Sequence, residues 1–273
     1  MGVQEQRGTT AIEGGRIAWR RVGDGPPLVL VNGYAATAQD WDPTFLEALA
    51  AGRTVVCPDN RGMGASTGDV ADLTVDAMAD DVAAVVGDLD LGPVDLAGWS
   101  MGGFIAQTLA ARGTVEVRRL ALLSTDPGGD VAVQRTAEVQ RRLTDHDGTP
   151  DEQARRLLGL LFPEPLATDI YAQVGQVVAD ARAAIDVDVL SAQEAAMERW
   201  YAAPAAERLD ALTRLEVLAA CGDADVVIPP ANVDRFAASL PGTWTARLTG
   251  GGHAFMAQEP VRLAALLGAF FAT

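Results

Sequence analysis

The sequence contains no lysine, because all 21 of its basic residues are arginines. This absence excludes any mechanism that uses a lysine Schiff base or a lysine general base. Cysteine and histidine are also scarce: the chain has Cys57, Cys221, His146 and His253, and no others. Neither cysteine lies in a C-x-x-C pair, and each stands at the end of an apolar run, which is typical of a buried, reduced thiol. A zinc site is therefore not expected, and no other metal or cofactor is implied.

Long apolar runs are missing too. No stretch approaches the ~20 apolar residues that a membrane-spanning helix needs, and the N-terminal MGVQEQRGTT lacks the apolar region of a signal peptide. We therefore expect a soluble, cytoplasmic protein with no membrane partner. The net charge of −16 argues against binding of nucleic acid, whose phosphates it would repel. The composition is typical of a GC-rich bacterial genome, and it leaves the oligomeric state open, a homodimer included.

The two ends of the chain alternate strand-like and helix-like segments. Apolar, β-branched runs predict strands, and apolar residues at helical spacing predict the helices between them. A repeated β-α-β-α order predicts an α/β fold, with a parallel sheet and helices on both of its faces. The predicted strands are 16–22, 27–33, 53–59, 93–99, 116–125, 214–222 and 243–250, and the predicted helices between them are 40–52, 74–89, 101–113, 229–240 and 259–272.

This alternation is interrupted between about residues 130 and 208, where only helical stretches are predicted. We expect a core domain formed by residues 1–128 and 209–273, and a helical cap inserted as residues 129–208. The insertion leaves and re-enters the core at strand ends. The cap is therefore expected to cover the sheet edge at which α/β proteins bind their ligands.

The pattern G-x-S-x-G occurs twice, around Ser66 and around Ser100. Ser66 lies among glycines and small polar residues in PDNRGMGASTGDVAD, which indicates a loop. Ser100, in DLAGWSMGGFIAQ, stands where a strand ends and a helix begins at once. A serine at such a junction takes a strained backbone conformation, and glycine at positions 98 and 102 removes the clashes of that tight turn. Ser100 is therefore the predicted nucleophile.

A serine hydroxyl needs a neighbouring base to act as a nucleophile at neutral pH. His253 follows the last predicted strand, so it is expected at the same sheet edge as Ser100. His146 lies in a polar turn of the cap, where we expect it to be solvated. A carboxylate at another strand end would orient the base. The candidates for it are Asp225, which we prefer, and Asp223 and Asp126 as alternatives.

The negative oxygen of a tetrahedral intermediate also needs hydrogen-bond donors. The backbone N–H of Met101 is one candidate, because it directly follows Ser100 at a helix N-terminus. The N–H of Tyr34 is the second, in the loop after the strand LVLV, where Gly33 allows a turn.

Over nearly the whole chain apart from the cap, these motifs resemble those of serine-dependent α/β-hydrolases. The shared motifs are NGY, PDNRGMGAS, GWSMGG, GDADVVIPP and GGHAFMAQEP. The resemblance implies an α/β-hydrolase fold with a mostly parallel eight-stranded sheet, and the chain order Ser100, Asp225, His253 for the triad. It also implies Tyr34 and Met101 as oxyanion donors. The family usually has a histidine in place of Asn32, so the support of the oxyanion loop is expected to differ.

The predicted activity is acyl transfer from a carboxylic ester or lactone of a small, largely apolar substrate, since GWSMGG is similar to the elbow of small esterases and lactonases. The same elbow is similar to that of cofactor-free haloperoxidases or perhydrolases and of carbon–carbon bond hydrolases. These reactions therefore stay open, as does a ligand-binding protein of the same fold. The aromatic residues predicted to line the substrate pocket are Trp99, Phe162, Tyr171, Trp200 and Phe255.

Overall fold

An eight-stranded sheet forms the centre of the computed structural model, which describes residues 5–272. Its strands are β1 (Glu5–Ile12), β2 (Gly15–Val22), β3 (Pro27–Val31), β4 (Thr54–Pro58), β5 (Val94–Trp99), β6 (Val117–Leu123), β7 (Glu216–Gly222) and β8 (Trp244–Leu248). Across the sheet they follow the order β1-β2-β4-β3-β5-β6-β7-β8. Strand β2 runs antiparallel to both of its neighbours, and the pairs from β4 across to β8 are parallel. The predicted mostly parallel, eight-stranded sheet is thus confirmed.

Helices cover both faces of this sheet, which explains why the central strands β3 and β4 are almost entirely apolar. Every residue of β4 is buried, and so is every residue of β3 except Pro27. Such strands bury side chains on both faces and have no polar face to alternate with. One face packs against α1 (Pro43–Ala50) and α11 (Pro260–Ala272), and the other against α2 (Val75–Asp88), α3 (Met101–Arg112) and α9 (Ala231–Ser239).

A helical segment connects β6 to β7 at the place where the sequence predicts only helices. It comprises α4 (Ala137–Leu143), α5 (Pro150–Leu161), α6 (Leu166–Ala183), α7 (Val187–Ala202) and α8 (Ala206–Leu212). We call residues 137–202, from α4 to α7, the helical insertion. Helix α8 is different, because its Leu209 and Leu212 pack with α3 in the core beside the sheet. The domain boundary expected at residue 208 therefore falls inside a helix of the core.

Strand β1 is absent from the sequence-based prediction. Of its eight residues only Thr10 is buried, so the segment lacks the apolar pattern by which strands are recognised. It forms because its backbone pairs with β2 along the whole length, from Glu5 opposite Val22 to Ile12 opposite Gly15. Backbone pairing with a neighbour, rather than burial of side chains, decides the conformation of this edge strand.

The turn from β5 into α3 carries Ser100 at the carboxyl end of the parallel strands, with a φ of 55°. Few residues other than glycine adopt a positive φ. The backbone around Ser100 is packed too closely for a side chain. A Cβ on Gly98 would lie 2.2 Å from the carbonyl oxygen of Gly102, and a Cβ on Gly102 would lie 2.2 Å from the carbonyl oxygen of Val31. Helix α3 can therefore begin against the end of β3 only with glycine at these positions.

The Gly102→Ala substitution is expected to lower the free energy of unfolding by about 3 kcal/mol, because the new methyl group overlaps a backbone atom of the central sheet. Gly87→Ala in α2 is the matched control, since a Cβ there meets no atom within 4 Å. Helix propensity predicts that this control gains about 0.5–1 kcal/mol. Urea unfolding of both variants and the parent measures the two changes. Equal stability of the two variants would contradict the packing argument.

Candidate active site

Asp225 and His253 lie in the loops after β7 and β8 and form a buried pair. The Nδ1 atom of His253 is 2.8 Å from Oδ2 of Asp225, and the two side chains are 4% and 0% exposed. The other carboxylate oxygen of Asp225 accepts hydrogen bonds from the N–H groups of Val227 and Ile228, at 2.8 and 2.9 Å. These bonds orient the carboxylate, which in turn holds the imidazole through Nδ1. The ring nitrogen of His253 that Asp225 does not hold is Nε2.

The two alternative aspartates have other partners. Asp223 accepts a hydrogen bond from the N–H of Gly250 at 2.7 Å, which holds the loop after β8. Asp126 is buried and accepts hydrogen bonds from the Tyr201 hydroxyl at 2.8 Å and from Nε1 of Trp200 at 3.3 Å. Burial raises the pKa of the Asp126 carboxyl above its usual value. This aspartate joins the end of β6 to α7.

Ser100 is fixed through its main chain on both sides. Its N–H donates to the carbonyl oxygen of Leu123 at 2.9 Å. Its carbonyl oxygen accepts from the N–H of Gly103 and from the hydroxyl of Thr125, both at 2.8 Å. Ser100 and His253 line the same cavity, so the structure brings these two predicted residues to one place.

Ser66 lies elsewhere, and its hydroxyl takes part in the fold. The Oγ atom accepts from the N–H of Ala18 at 2.8 Å and donates to the carbonyl oxygen of Asp59, also at 2.8 Å. The residue is buried. This hydroxyl joins β2 to the loop after β4, which accounts for a serine at this position without any chemistry.

The loop that contains Tyr34 is held on its sheet side by asparagine side chains. The Nδ2 atom of Asn32 donates to the carbonyl oxygen of Pro58 at 2.7 Å, and the side chain of Asn60 donates to the carbonyl oxygen of Asn32 at 3.2 Å. Asn32, which stands where the resemblance leads one to expect histidine, thus anchors this loop to the end of β4.

Helix α7 of the helical insertion holds the same loop from the opposite side. Ala35, which has a φ of 55°, donates its N–H to Oε1 of Gln193 at 2.9 Å. The hydroxyl of Tyr34 donates to Oε1 of Glu194. Gln193 is fully buried, so water does not compete for its bond. Sequence reasoning missed both α7 residues, because no motif links positions 158 residues apart.

His146 is only partly exposed and is paired with a carboxylate, whereas the sequence predicts a solvated side chain. Its Nε2 atom is 2.8 Å from Oε1 of Glu194, the oxygen that also accepts from the Tyr34 hydroxyl. Only 25% of its side chain is exposed. The turn between α4 and α5 therefore folds onto α7. Its polar sequence contains no signal for this contact, since it depends on a carboxylate 48 residues away.

Two cavities lie next to Ser100. The cavity that Ser100 itself lines has a volume of about 60 Å³. A larger cavity of about 280 Å³ shares Asp40, Trp99 and Leu161 with it. Further walls of the larger cavity are mostly apolar, and they include Trp41, Leu158, Phe162, Ile170 and Met256. Residues of the helical insertion line both cavities.

The five aromatic residues predicted to line the pocket lie in different surroundings. Trp99 lines both cavities, and Phe162 lines the larger one. Phe255 is fully buried in the core beside α11. Trp200 is buried against α3 and faces a separate groove of about 410 Å³. Tyr171 lies on α6, where its hydroxyl is hydrogen bonded within the helical insertion. An aromatic residue in a helical pattern can pack in a core as readily as it lines a pocket, so the sequence does not separate these cases.

Cys57 and Cys221 are free and buried, as predicted, and burial raises the pKa of each thiol to about 12. Among residues 5–272, no group of three or more His, Cys, Asp or Glu side chains is arranged to hold a metal ion. No helix in that range is long and apolar enough to cross a membrane.

A family model described as the alpha/beta hydrolase fold matches residues 26–260. The chain is 28% identical over 238 residues to "Putative carbamate hydrolase RutD" of Azorhizobium caulinodans, covering 87% of this chain and 88% of that protein. It is 29% identical over 262 residues to "Putative non-heme bromoperoxidase BpoC" of Mycobacterium tuberculosis, covering 94% of this chain and 98% of that protein. The crystal structure of the enol-lactonase from Burkholderia xenovorans has the same fold, with a TM-score of 0.83 at 21% identity over 97% of this chain and 100% of that one.

Two of the three tyrosines are expected to stay protonated far above the usual pKa of a phenol. Burial, with Glu194 beside Tyr34 and Asp126 beside Tyr201, raises both of these pKa values well above about 10. The pKa of these two phenols is raised only in the folded state. Their contribution to the free energy of unfolding is therefore complete below about pH 10 and is lost as the pH rises further. Ultraviolet titration of the folded protein should show Tyr171 ionising first, and in urea all three together. Three ionisations near pH 10 in the folded protein would contradict this assignment.

Proposed function

This chain belongs to the alpha/beta hydrolase fold family, and from that membership we propose that it is a serine hydrolase with the triad Ser100, His253 and Asp225. The reaction is acyl transfer from a carboxylic ester or lactone to water. The observation that carries the proposal is the buried Asp225–His253 pair at the cavity that Ser100 lines. A base oriented by a buried carboxylate is what a serine hydroxyl needs in order to attack a carbonyl carbon.

In this mechanism Nε2 of His253 takes the hydroxyl proton while Oγ of Ser100 attacks the carbonyl carbon. Asp225 stabilises the imidazolium that forms and keeps the ring in place. The tetrahedral intermediate then collapses, and His253 returns the proton to the departing oxygen. In the second half-reaction His253 takes a proton from water while the water oxygen attacks the acyl carbon, and His253 then returns that proton to Oγ of Ser100 as the bond to the acyl group breaks and the acid leaves.

The backbone N–H groups of Met101 and Tyr34 are proposed to stabilise the negative oxygen. Met101 is the first residue of α3, so no preceding helical turn offers its N–H a carbonyl acceptor, and the helix dipole favours negative charge there. Tyr34 follows Gly33, where a Cβ would lie only 3.1 Å from the Cβ of Ser100. The Tyr34 loop therefore passes the nucleophile at close range, which supports its assignment as the second donor.

The helical insertion is proposed to act as a cap over this site. Its residues Leu143, Leu157 and Leu161 line the cavity at Ser100, and α7 holds the Tyr34 loop through Gln193. Apolar walls keep water away from the reacting atoms and strengthen the electrostatic contacts among them. The apolar cavity of about 280 Å³ beside Ser100 supports a small substrate with an apolar part.

Perhydrolysis is the second candidate, because a relative that covers nearly all of this chain bears the name of a bromoperoxidase. The same acyl-enzyme would then be attacked by hydrogen peroxide in place of water, giving a peracid. Product analysis with and without peroxide separates the two reactions.

Labelling with a fluorophosphonate probe tests the nucleophile. Such a probe reacts only with an activated serine, so the parent protein and Ser66→Ala are expected to be labelled and Ser100→Ala is not. Gel fluorescence after a fixed exposure measures the result. Labelling that persists in Ser100→Ala would place the nucleophile elsewhere.

Replacement of the orienting carboxylate tests the triad. Asp225→Asn is expected to lower kcat on a para-nitrophenyl ester by about 10⁴-fold, because the amide favours the wrong tautomer of His253. Asp223→Asn is the matched control, since the asparagine oxygen can still accept from Gly250. Its kcat should stay within about threefold of the parent. A comparable loss in both variants would reject Asp225 as the specific partner of the base.

A further inference from the structure

Arg182, near the end of α6, is a charged wall of the cavity that Ser100 lines. Its guanidinium contacts the hydroxyl of Tyr34. Its Nε atom is buried and has no hydrogen-bond partner among residues 5–272. An arginine stays charged in a protein, and a buried donor of a charged group that lacks an acceptor costs free energy. An acceptor supplied by a ligand would remove that cost.

In the second arginine of this cavity, all three guanidinium nitrogens have a hydrogen-bond acceptor. Arg135 donates through Nε to the carbonyl oxygen of Val227 at 3.0 Å, and through its two Nη atoms to Gln140 at 2.8 Å and Tyr201 at 2.9 Å. These bonds join the segment just before α4 to α4 itself, to the loop after β7 and to α7. Arg135 therefore stabilises the fold, whereas Arg182 is a positively charged residue of the cavity wall whose Nε donor is unpaired among the described residues.

The carboxylates near Arg182 are held by other donors. Oδ2 of Asp40, which lines the same cavity, accepts from the N–H and the hydroxyl of Thr37 at 2.7 and 2.9 Å. Oε1 of Glu194 is shared between Tyr34 and His146. Two arginines and one aspartate line this cavity, in a protein whose net charge is −16. Arg182 thus brings a positive charge into the lining of a cavity beside Ser100.

We propose that Arg182 forms a subsite for an anionic group of the substrate, with a carboxylate as the simplest occupant. This inference rests on the proposed function, because it assigns the substrate class of the same site. A carboxylate matches the guanidinium fork and can accept from Nε and one Nη together. The preferred substrate is then an ester or lactone that carries a carboxylate, with its apolar part in the cavity of about 280 Å³.

Two ester pairs test the subsite, each comparing a carboxylate with its methyl ester. Mono-para-nitrophenyl adipate carries the charge on the acyl side, and para-acetoxybenzoate carries it on the leaving group. The ratio of kcat/KM for the charged ester to that for the neutral one is the measurement. A charge-assisted hydrogen bond is worth enough that Arg182→Gln should lower this ratio at least about tenfold in one pair. Arg182→Lys keeps the charge but not the fork, and an intermediate ratio is expected for it.

Arg155→Gln is the matched control. This arginine also belongs to the helical insertion, but its guanidinium stacks on the ring of Tyr171 at 3.8 Å. The Arg155→Gln substitution removes the same charge as Arg182→Gln. An unchanged ratio of kcat/KM between the charged and the neutral ester in this variant therefore separates a local contact from long-range attraction. The proposal is overturned if neither pair shows a preference for charge, or if Arg182→Gln keeps the parent's ratio.

A binding measurement separates failure of this proposal from failure of the proposed function. If neither ester pair is hydrolysed, titration calorimetry with adipate is carried out on the parent and on Arg182→Gln. Adipate that binds the parent and binds Arg182→Gln at least about tenfold more weakly supports the subsite while the hydrolase assignment fails. Equal binding to both proteins, or binding to neither, overturns the subsite.

Discussion

Between the ends of β3 and β5, backbone atoms approach so closely that only glycine fits at positions 98 and 102. This contact lets α3 begin directly after Ser100 and sets the positive φ of that serine. The Tyr34 loop then has to pass the same turn, where Gly33 leaves room for the side chain of Ser100. The proposed nucleophile and both proposed oxyanion donors therefore share one rigid frame, built from backbone at the carboxyl edge of the central sheet. Such a frame loses little entropy when a substrate binds.

Beyond its proposed role as a cap, the helical insertion holds a loop of the candidate site in place. Gln193 and Glu194 on α7 bind the backbone and side chain of the Tyr34 loop, and His146 joins this contact from the turn between α4 and α5. A displacement of α7 would therefore move the proposed oxyanion donor together with the pocket wall. In the proposed mechanism, these hydrogen bonds couple substrate binding under the insertion to the geometry of the reaction.

The buried charged side chains near Ser100 have different hydrogen-bond partners and different roles. Asp225 is buried against His253, where two backbone N–H groups hold its second oxygen. Asp126, equally buried, is satisfied by Trp200 and Tyr201 and serves the packing of α7. Arg182 differs from these two aspartates, because its Nε donor has no partner among the described residues; the same holds for Nε of Arg20 and of Arg208, but only Arg182 lines the cavity at Ser100. In a protein interior such a donor is costly, and the cavity beside it offers room for an acceptor.

Much of the fold, and the position of Ser100 in it, could be predicted from the sequence alone. The β-α alternation, the helical interruption and the glycines around Ser100 are local patterns, and each reflects a constraint that a short segment imposes on itself. Contacts between distant segments were decided only by the tertiary structure. The pairing of polar β1 with β2, the position of α8 in the core, and the bonds of α7 to the Tyr34 loop all depend on partners far away in the chain. The difference between Arg135, whose Nε has an acceptor, and Arg182, whose Nε has none among the described residues, also depends on distant partners. The residues next to an arginine in the sequence do not indicate which acceptors folding brings within reach.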